Sequence, residues 1–260
     1  MDNFNHLDNF NHSLSLIFLL TINMKKFEKS SLTCLITFII SFLPFSVFSQ
    51  KNDWADFSRY ADDNITLRED KSHPVKVVFF GNSITDSWAS MRPEFFSTNG
   101  FTGRGISGQT TYQFLSRFRE DAVNLKPRII VLNGGTNDIA ENSHPYSEDI
   151  TLGNIRSMVE IARANGIGVI LTSVLPAAGF KWNRKVTDAP EKIESLNRRI
   201  AALAEELDIP YVDYHTLLIA PDKRSFRPEL SPDGVHPNVE GYKIMEKVIL
   251  PAIEKYGNDD

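Results

Sequence analysis

The chain has 260 residues, with 28 Lys and Arg against 33 Asp and Glu and a formal net charge of -5. That length holds one domain or at most two, and 42% hydrophobic with 23% charged residues excludes a disordered or collagen-like chain. A mildly acidic balance with no basic block argues against nucleic acid as the main partner.

Residues 2–12 repeat DNFNH around Leu7 and read as low-complexity sequence with no packing role. Met24 then opens a different pattern: Lys25, Lys26 and Lys29 form a positive start, an apolar run covers 32–43, and small residues lead to Ser49. This is the layout of a secretory signal peptide cleaved after Ser49, with Met24 as the natural start. A membrane anchor is the competing reading, but the run is short for a span of about 20 residues and Pro44 interrupts its end. The expected organisation is therefore a non-native extension plus signal over 1–49 and one domain over 50–260. The expected mature form is periplasmic or extracellular and has no membrane span. Cys34, the one cysteine, falls in the removed part, so a disulfide, a thiol nucleophile and a cysteine metal site are all excluded from the mature form.

In the mature part, 53–64 carries Trp54, Phe57 and Tyr60 and predicts a helix on the domain edge. The near-continuous apolar run over 75–80 predicts a strand covered on both faces. A weaker strand fits 101–106, and 112–125 fits a helix. Runs at 128–132, 168–172 and 211–212 give three more strands. Between them, Ile155, Val159 and Ala162 mark one helix face, ended by Gly166, and Ile193, Leu196, Ile200, Leu203 and Leu207 mark another. Asp188, followed by Pro190 and Glu191, starts the second of these helices. A last helix fits 238–256, broken near Pro251. Buried strands alternating with helices predict an α/β fold: a three-layer α/β/α sandwich around a parallel sheet of about five strands. Ligands of such folds bind beyond the C-terminal strand ends.

Those ends carry polar residues. Ser83 follows the first strand in Gly81-Asn82-Ser83-Ile84, where it either caps the next helix or exposes its hydroxyl at the sheet edge. Gly108 lies in the loop after the strand at 101–106, a simple turn or a close approach of backbone to ligand. Asn137 lies in Asn133-Gly134-Gly135-Thr136-Asn137-Asp138, either as part of an Asx-type turn or as an amide donor over the sheet. Asp233 and His236 share Asp233-Gly234-Val235-His236-Pro237, where the carboxylate can reach the imidazole and Pro237 places His236 near a helix N-cap. Half of a metal site is the other reading of this pair, but only Asp213 and His215 are available to complete it. Arg104, Trp88, Lys181 and Trp182 are candidate cleft residues, and a tryptophan beside a lysine suits sugar stacking. Asp86 and Asp138 read as turn or supporting groups. His73, His144 and His215 read as structural or solvated.

Taken together, the four segments resemble the SGNH (GDSL-type) hydrolase superfamily of esterases and lipases over about 75–256. They are most similar to its platelet-activating-factor acetylhydrolase-like and bacterial carbohydrate acetylesterase branch. The usual Gly-Asp-Ser of that family reads Gly81-Asn82-Ser83 here. The resemblance implies the flavodoxin-like SGNH fold and an acyl-enzyme mechanism in which Ser83 attacks, His236 takes its proton and Asp233 orients the ring. It implies an oxyanion hole from the Ser83 amide, the Gly108 amide and the Asn137 side chain. It implies no metal and no organic cofactor. The expected substrate is a short acyl ester, acetyl foremost, small or carried on a glycan. A lysophospholipase or thioesterase is the alternative, and a non-catalytic glycan-binding protein is a remote one. The sequence leaves the oligomeric state open.

Overall fold

The computed structural model describes residues 53–258, so the predicted extension and signal over 1–49 lie outside the described residues. The strands are β1 (Val77–Gly81), β2 (Phe101–Gly105), β3 (Ile129–Asn133), β4 (Gly168–Thr172) and β5 (Tyr211–Val212). They form one parallel sheet in the order β2-β1-β3-β4-β5. The order reverses between β1 and β3, and in doubly wound sheets that is where ligands bind.

The helices are α1 (Ala61–Glu69), α2 (Ser83–Met91), α3 (Pro93–Asn99), α4 (Thr111–Asp121), α5 (Thr136–Ile139), α6 (Glu148–Ala164), α7 (Ala189–Glu206), α8 (His215–Leu218) and α9 (Val239–Asn258). Successive strand side chains point to opposite faces, so each apolar run feeds two cores. Val78, Phe80, Ile130, Leu132, Val169 and Leu171 pack on one side against apolar residues of α4, α6 and α7. Val77, Phe79, Ile129, Val131 and Ile170 pack on the other against α2, α3 and α9. This is the predicted α/β/α sandwich.

Four local expectations are corrected. The helix expected over 53–64 is a 3-10 turn, Phe57–Tyr60, followed by α1, with Trp54 and Phe57 exposed. The helix expected to run to Leu125 ends at Asp121 and tightens into a 3-10 turn, Val123–Leu125. Asp188 starts α7 without a side-chain cap, because its carboxylate pairs with Lys192 at 2.9 Å. Pro251 does not break α9, which runs through it to Asn258. Pro251 and Lys247 are both exposed, so the carbonyl that loses its donor lies on the solvent side, where water serves it.

Candidate active site

β1, β2 and β3 end level with one another: Gly81 pairs with Gly105 and with Asn133. The three following loops therefore leave the sheet at one height. The loop after β2 is held tightly against the first turn of α2. A Cβ on Gly105 would lie 2.2 Å from the Asp86 amide nitrogen and 2.6 Å from the Asn82 carbonyl, so only glycine fits there. The Ile106 amide donates to the Gly81 carbonyl at 3.1 Å, and the Ser107 hydroxyl donates to Asp86 at 3.0 Å.

Ser83 is the first residue of α2, and Asn82 caps the helix: its side-chain oxygen accepts from the Ile84 amide at 3.0 Å. The Ser83 side chain is thus free of the capping role considered for it. Its Oγ lies 2.8 Å from His236 Nε2. His236 Nδ1 lies 2.7 Å from Asp233 Oδ2, and the other Asp233 oxygen accepts from the His236 and Val235 amides at 2.8 and 2.9 Å. Burial alone would raise the Asp233 carboxyl, but the hydrogen bonds from His236 and Val235 outweigh it and bring it down to about 2. The carboxylate is therefore charged across the whole range in which an imidazole titrates. One expectation fails here: α9 starts at Val239, and Asn238 accepts from the Gly241 amide at 3.0 Å, so Asn238 and not His236 is the cap.

Gly108 adopts φ 79°, a left-handed conformation that glycine takes without strain. Asn137 is buried and donates to the Gln109 carbonyl at 2.9 Å, joining the loop after β3 to the Gly108 loop. Asn142 adds a second tie, from its side chain to the Gly108 carbonyl at 3.1 Å. The five residues singled out in sequence thus sit on loops that share one end of the sheet. Ser83, His236 and Asp233 form a continuous hydrogen-bonded row. Such a row can take a proton from the hydroxyl and give it back.

Arg104 and Trp88 are not cleft residues. Arg104 is buried, pairs with Asp63 at 2.6 Å and lies over the Tyr60 ring at 4.5 Å. Trp88 is buried in an aromatic cluster with Phe79, Phe95 and Tyr242. Trp182 does stand at the surface, 50% exposed, and its indole donates to Asn142 at 2.8 Å. Lys181 lines a cavity of about 510 Å³ that includes Asp233 and Gly234. Asp138 is a buried support that accepts from the Thr111 amide and hydroxyl, and burial raises its carboxyl. Asp86 accepts from Ser107 and Arg59. His144 packs against the Tyr112 ring, tilted at 48° with centroids 3.8 Å apart. Asp213 bonds Thr216 in a local turn. Among the described residues no group of three or more His, Cys, Asp or Glu converges on one point.

Sequence reasoning missed Arg117. It is fully buried on α4 and donates to the Gly81 carbonyl at 2.8 Å, the Arg104 carbonyl at 3.1 Å and Gln109 Oε1 at 2.6 Å. It pairs with Asp121 at 3.1 Å and lies over the Phe80 ring at 4.2 Å. One guanidinium thus ties the end of β1, the end of β2 and the Gly108 loop together. Its sequence signal is an Arg and an Asp four residues apart on the apolar stripe that also carries Phe114 and Phe118.

A parallel 2-1-3-4-5 sheet bearing a hydroxyl, an imidazole and a carboxylate in a row fits the carboxylic ester hydrolases. The GDSL-like Lipase/Acylhydrolase family model matches residues 79–244, and the chain belongs to that family. The fold is similar to that of a GDSL-like lipase from Bacteroides thetaiotaomicron, at 53% identity and a TM-score of 0.76 over 78% of this chain and 100% of that one. In sequence the chain is similar to an acetylxylan esterase of Geobacillus stearothermophilus, 24% identical over 68% of this chain and 93% of that protein. It is also similar to an acetylxylan esterase of Xylanibacter ruminicola, 22% identical over 71% of this chain, of whose length it spans only 44%.

Proposed function

We propose that the chain is an exported serine esterase that removes short acyl groups, acetyl foremost, from a carbohydrate. The observation that carries this reading is the 2.8 Å contact between Ser83 Oγ and His236 Nε2, continued at 2.7 Å to Asp233. In this reading His236 takes the Ser83 proton as Oγ attacks the ester carbonyl, and Asp233 stabilises the imidazolium that forms. The carbonyl oxygen becomes an oxyanion and is received by the Ser83 amide, the Gly108 amide and the second N–H of Asn137, whose first is bonded to Gln109. The C–O bond to the leaving alcohol breaks, and His236 returns its proton to that oxygen. Water, deprotonated by His236, then attacks the acyl-enzyme, and the acid leaves while Ser83 regains its proton. No step in this sequence calls on a metal or an organic cofactor.

The acetyl preference is supported by the two acetylxylan esterases among the relatives. Export is supported by the positive, apolar and small-residue layout of 24–49. Among the described residues no helix is long and apolar enough to cross a membrane.

The test is hydrolysis of 4-nitrophenyl esters of increasing chain length by the wild type and by Ser83→Ala. The expected result is fastest turnover of the acetate ester and a loss of about 10⁴-fold or more in the variant. Undiminished hydrolysis by Ser83→Ala would remove the proposed nucleophile, and a preference for long chains would favour the lysophospholipase or thioesterase reading.

A further inference from the structure

The loop from β4 to α7 is rigid although it lies at the surface. Its two turns are closed by the Asn183 amide to the Phe180 carbonyl at 3.2 Å and the Val186 amide to the Asn183 carbonyl at 3.4 Å. Phe180 and Val186 are buried beneath it. Asn183 donates to the Ala140 carbonyl at 2.9 Å, and Trp182 to Asn142 at 2.8 Å, so both turns are pinned to the segment that follows α5. The side chains displayed by these turns are therefore held in place before any ligand arrives.

Those side chains form a pattern. Lys181 and Arg184 stand in the middle of the two turns, are exposed, and line the cavity of about 510 Å³ beside Asp233 and Gly234. The protein as a whole carries a net charge of -5, and the nearby cations Lys192 and Arg224 are neutralised by Asp188 and Glu191. Lys181 and Arg184 make no ion pair among the described residues. Asp233, the one acidic group in the cavity lining, is already engaged by His236 and two amides. Thr187 and Ser225 add hydroxyls to the same wall. Trp182, half exposed, follows Lys181 in the chain without itself lining the cavity, and its Asn142 partner also donates to the Gly108 carbonyl.

We propose that this cavity is a subsite for an anionic sugar, in which Lys181 and Arg184 bind a carboxylate or sulfate on a glycan while Trp182 packs against a sugar ring. A guanidinium and an ammonium on a fixed loop suit a planar or tetrahedral oxyanion, and an exposed indole face suits the apolar face of a pyranose. The inference rests on the esterase reading and narrows it: the acyl group removed sits on, or next to, a charged sugar unit.

The test is calorimetric binding to the Ser83→Ala protein, where turnover does not interfere. The probes are oligogalacturonate, its carboxyl-reduced neutral counterpart, and a sulfated galactan oligosaccharide. The expected result is that at least one anionic probe binds about tenfold tighter than the neutral one, the scale of two partly exposed charge pairs. The stronger anionic probe identifies the group as carboxylate or sulfate. The preference is expected to vanish in Lys181→Ala/Arg184→Ala, to shrink at about 0.5 M salt, and to persist in Lys255→Ala, which removes a cation elsewhere. Equal binding of neutral and anionic probes, or a preference that survives the double substitution, overturns the proposal. Acetate release from acetylated glycans by the wild type is read in parallel. Anion-selective binding without acetate release from any acetylated glycan sinks the esterase reading and leaves the subsite standing. Acetate release without anion selectivity does the reverse.

Discussion

Asn82 stands where the family resemblance leads one to expect aspartate, and its geometry keeps the helix cap. The position is a helix cap, and a side-chain amide oxygen accepts the Ile84 amide as a carboxylate oxygen would. What is lost is a negative charge next to the proposed nucleophile. Arg117 acts at the same scale. Replacing it with Met leaves Asp121 buried and unpaired and strips a donor from the Gly81 and Arg104 carbonyls. Arg117→Met is expected to lower stability by about 3–5 kcal/mol in chemical denaturation. Adding Asp121→Leu removes the orphaned charge and is expected to recover much of that loss. Ester turnover stays depressed in the double variant, because the ends of β1 and β2 remain untied. Full activity in the double variant would show that Arg117 has no part in positioning these loops. This buried cation was hidden in the sequence because a charged residue on an apolar stripe reads as a helix with an imperfect face. The neighbouring error, Arg104 taken as a cleft residue, has the same origin: nothing in one sequence announces Asp63 and Tyr60 as its partners.

At the scale of elements, the proposed nucleophile and base belong to segments 153 residues apart, and helix packing sets the gap between them. α9 begins three residues after His236 and lies against α2, which begins at Ser83. The buried Tyr242 hydroxyl donates to the Ile84 carbonyl at 2.8 Å, and Glu246 receives the Trp88 indole and Arg92. Tyr242→Phe keeps the ring and its packing but cuts the direct link. Its expected effect is about 1 kcal/mol of stability and a several-fold fall in kcat for a short aryl ester, from a looser Ser83–His236 contact. An unchanged kcat would mean that packing and the Glu246 bonds to Trp88 and Arg92 hold the two helices in place without the Tyr242 hydroxyl. The central strands β1 and β3 were legible because they are buried along their whole length, and continuous apolar runs leave few other readings; β2, half-buried over its first three residues and carrying Gly103 and Arg104, was the weaker reading. Element ends were less legible. α4 stops at Asp121 because the chain turns there toward β3, and α9 passes through Pro251 because the missing donor falls on its wet side. These are tertiary facts that local sequence does not carry.

At the scale of the whole described body, one sheet serves two cores, and the alternation of Val77, Val78, Phe79 and Phe80 between them fixes which strand end meets which loop. That is why the proposed site could be read from the residues that follow each strand. Once the strands are parallel and level, Ser83, Gly108 and Asn137 must leave from the same edge. The Asp233–His236 loop was legible for a different reason, since a separation of three positions is a local geometry. Lys181 and Trp182 were visible in sequence as a candidate sugar-stacking pair, but the cavity was not, because it forms only when Phe226, Asp233 and Gly234 come beside Lys181 and Arg184. The central claim is that Ser83 is a hydroxyl activated by His236. The most direct measurement is covalent trapping with a fluorophosphonate, followed by peptide mass spectrometry of the wild type and of His236→Ala. A single adduct on Ser83, formed at least about 100-fold more slowly in His236→Ala, is the predicted result. An adduct on another residue, or equal labelling of Ser83 in both proteins, would contradict it.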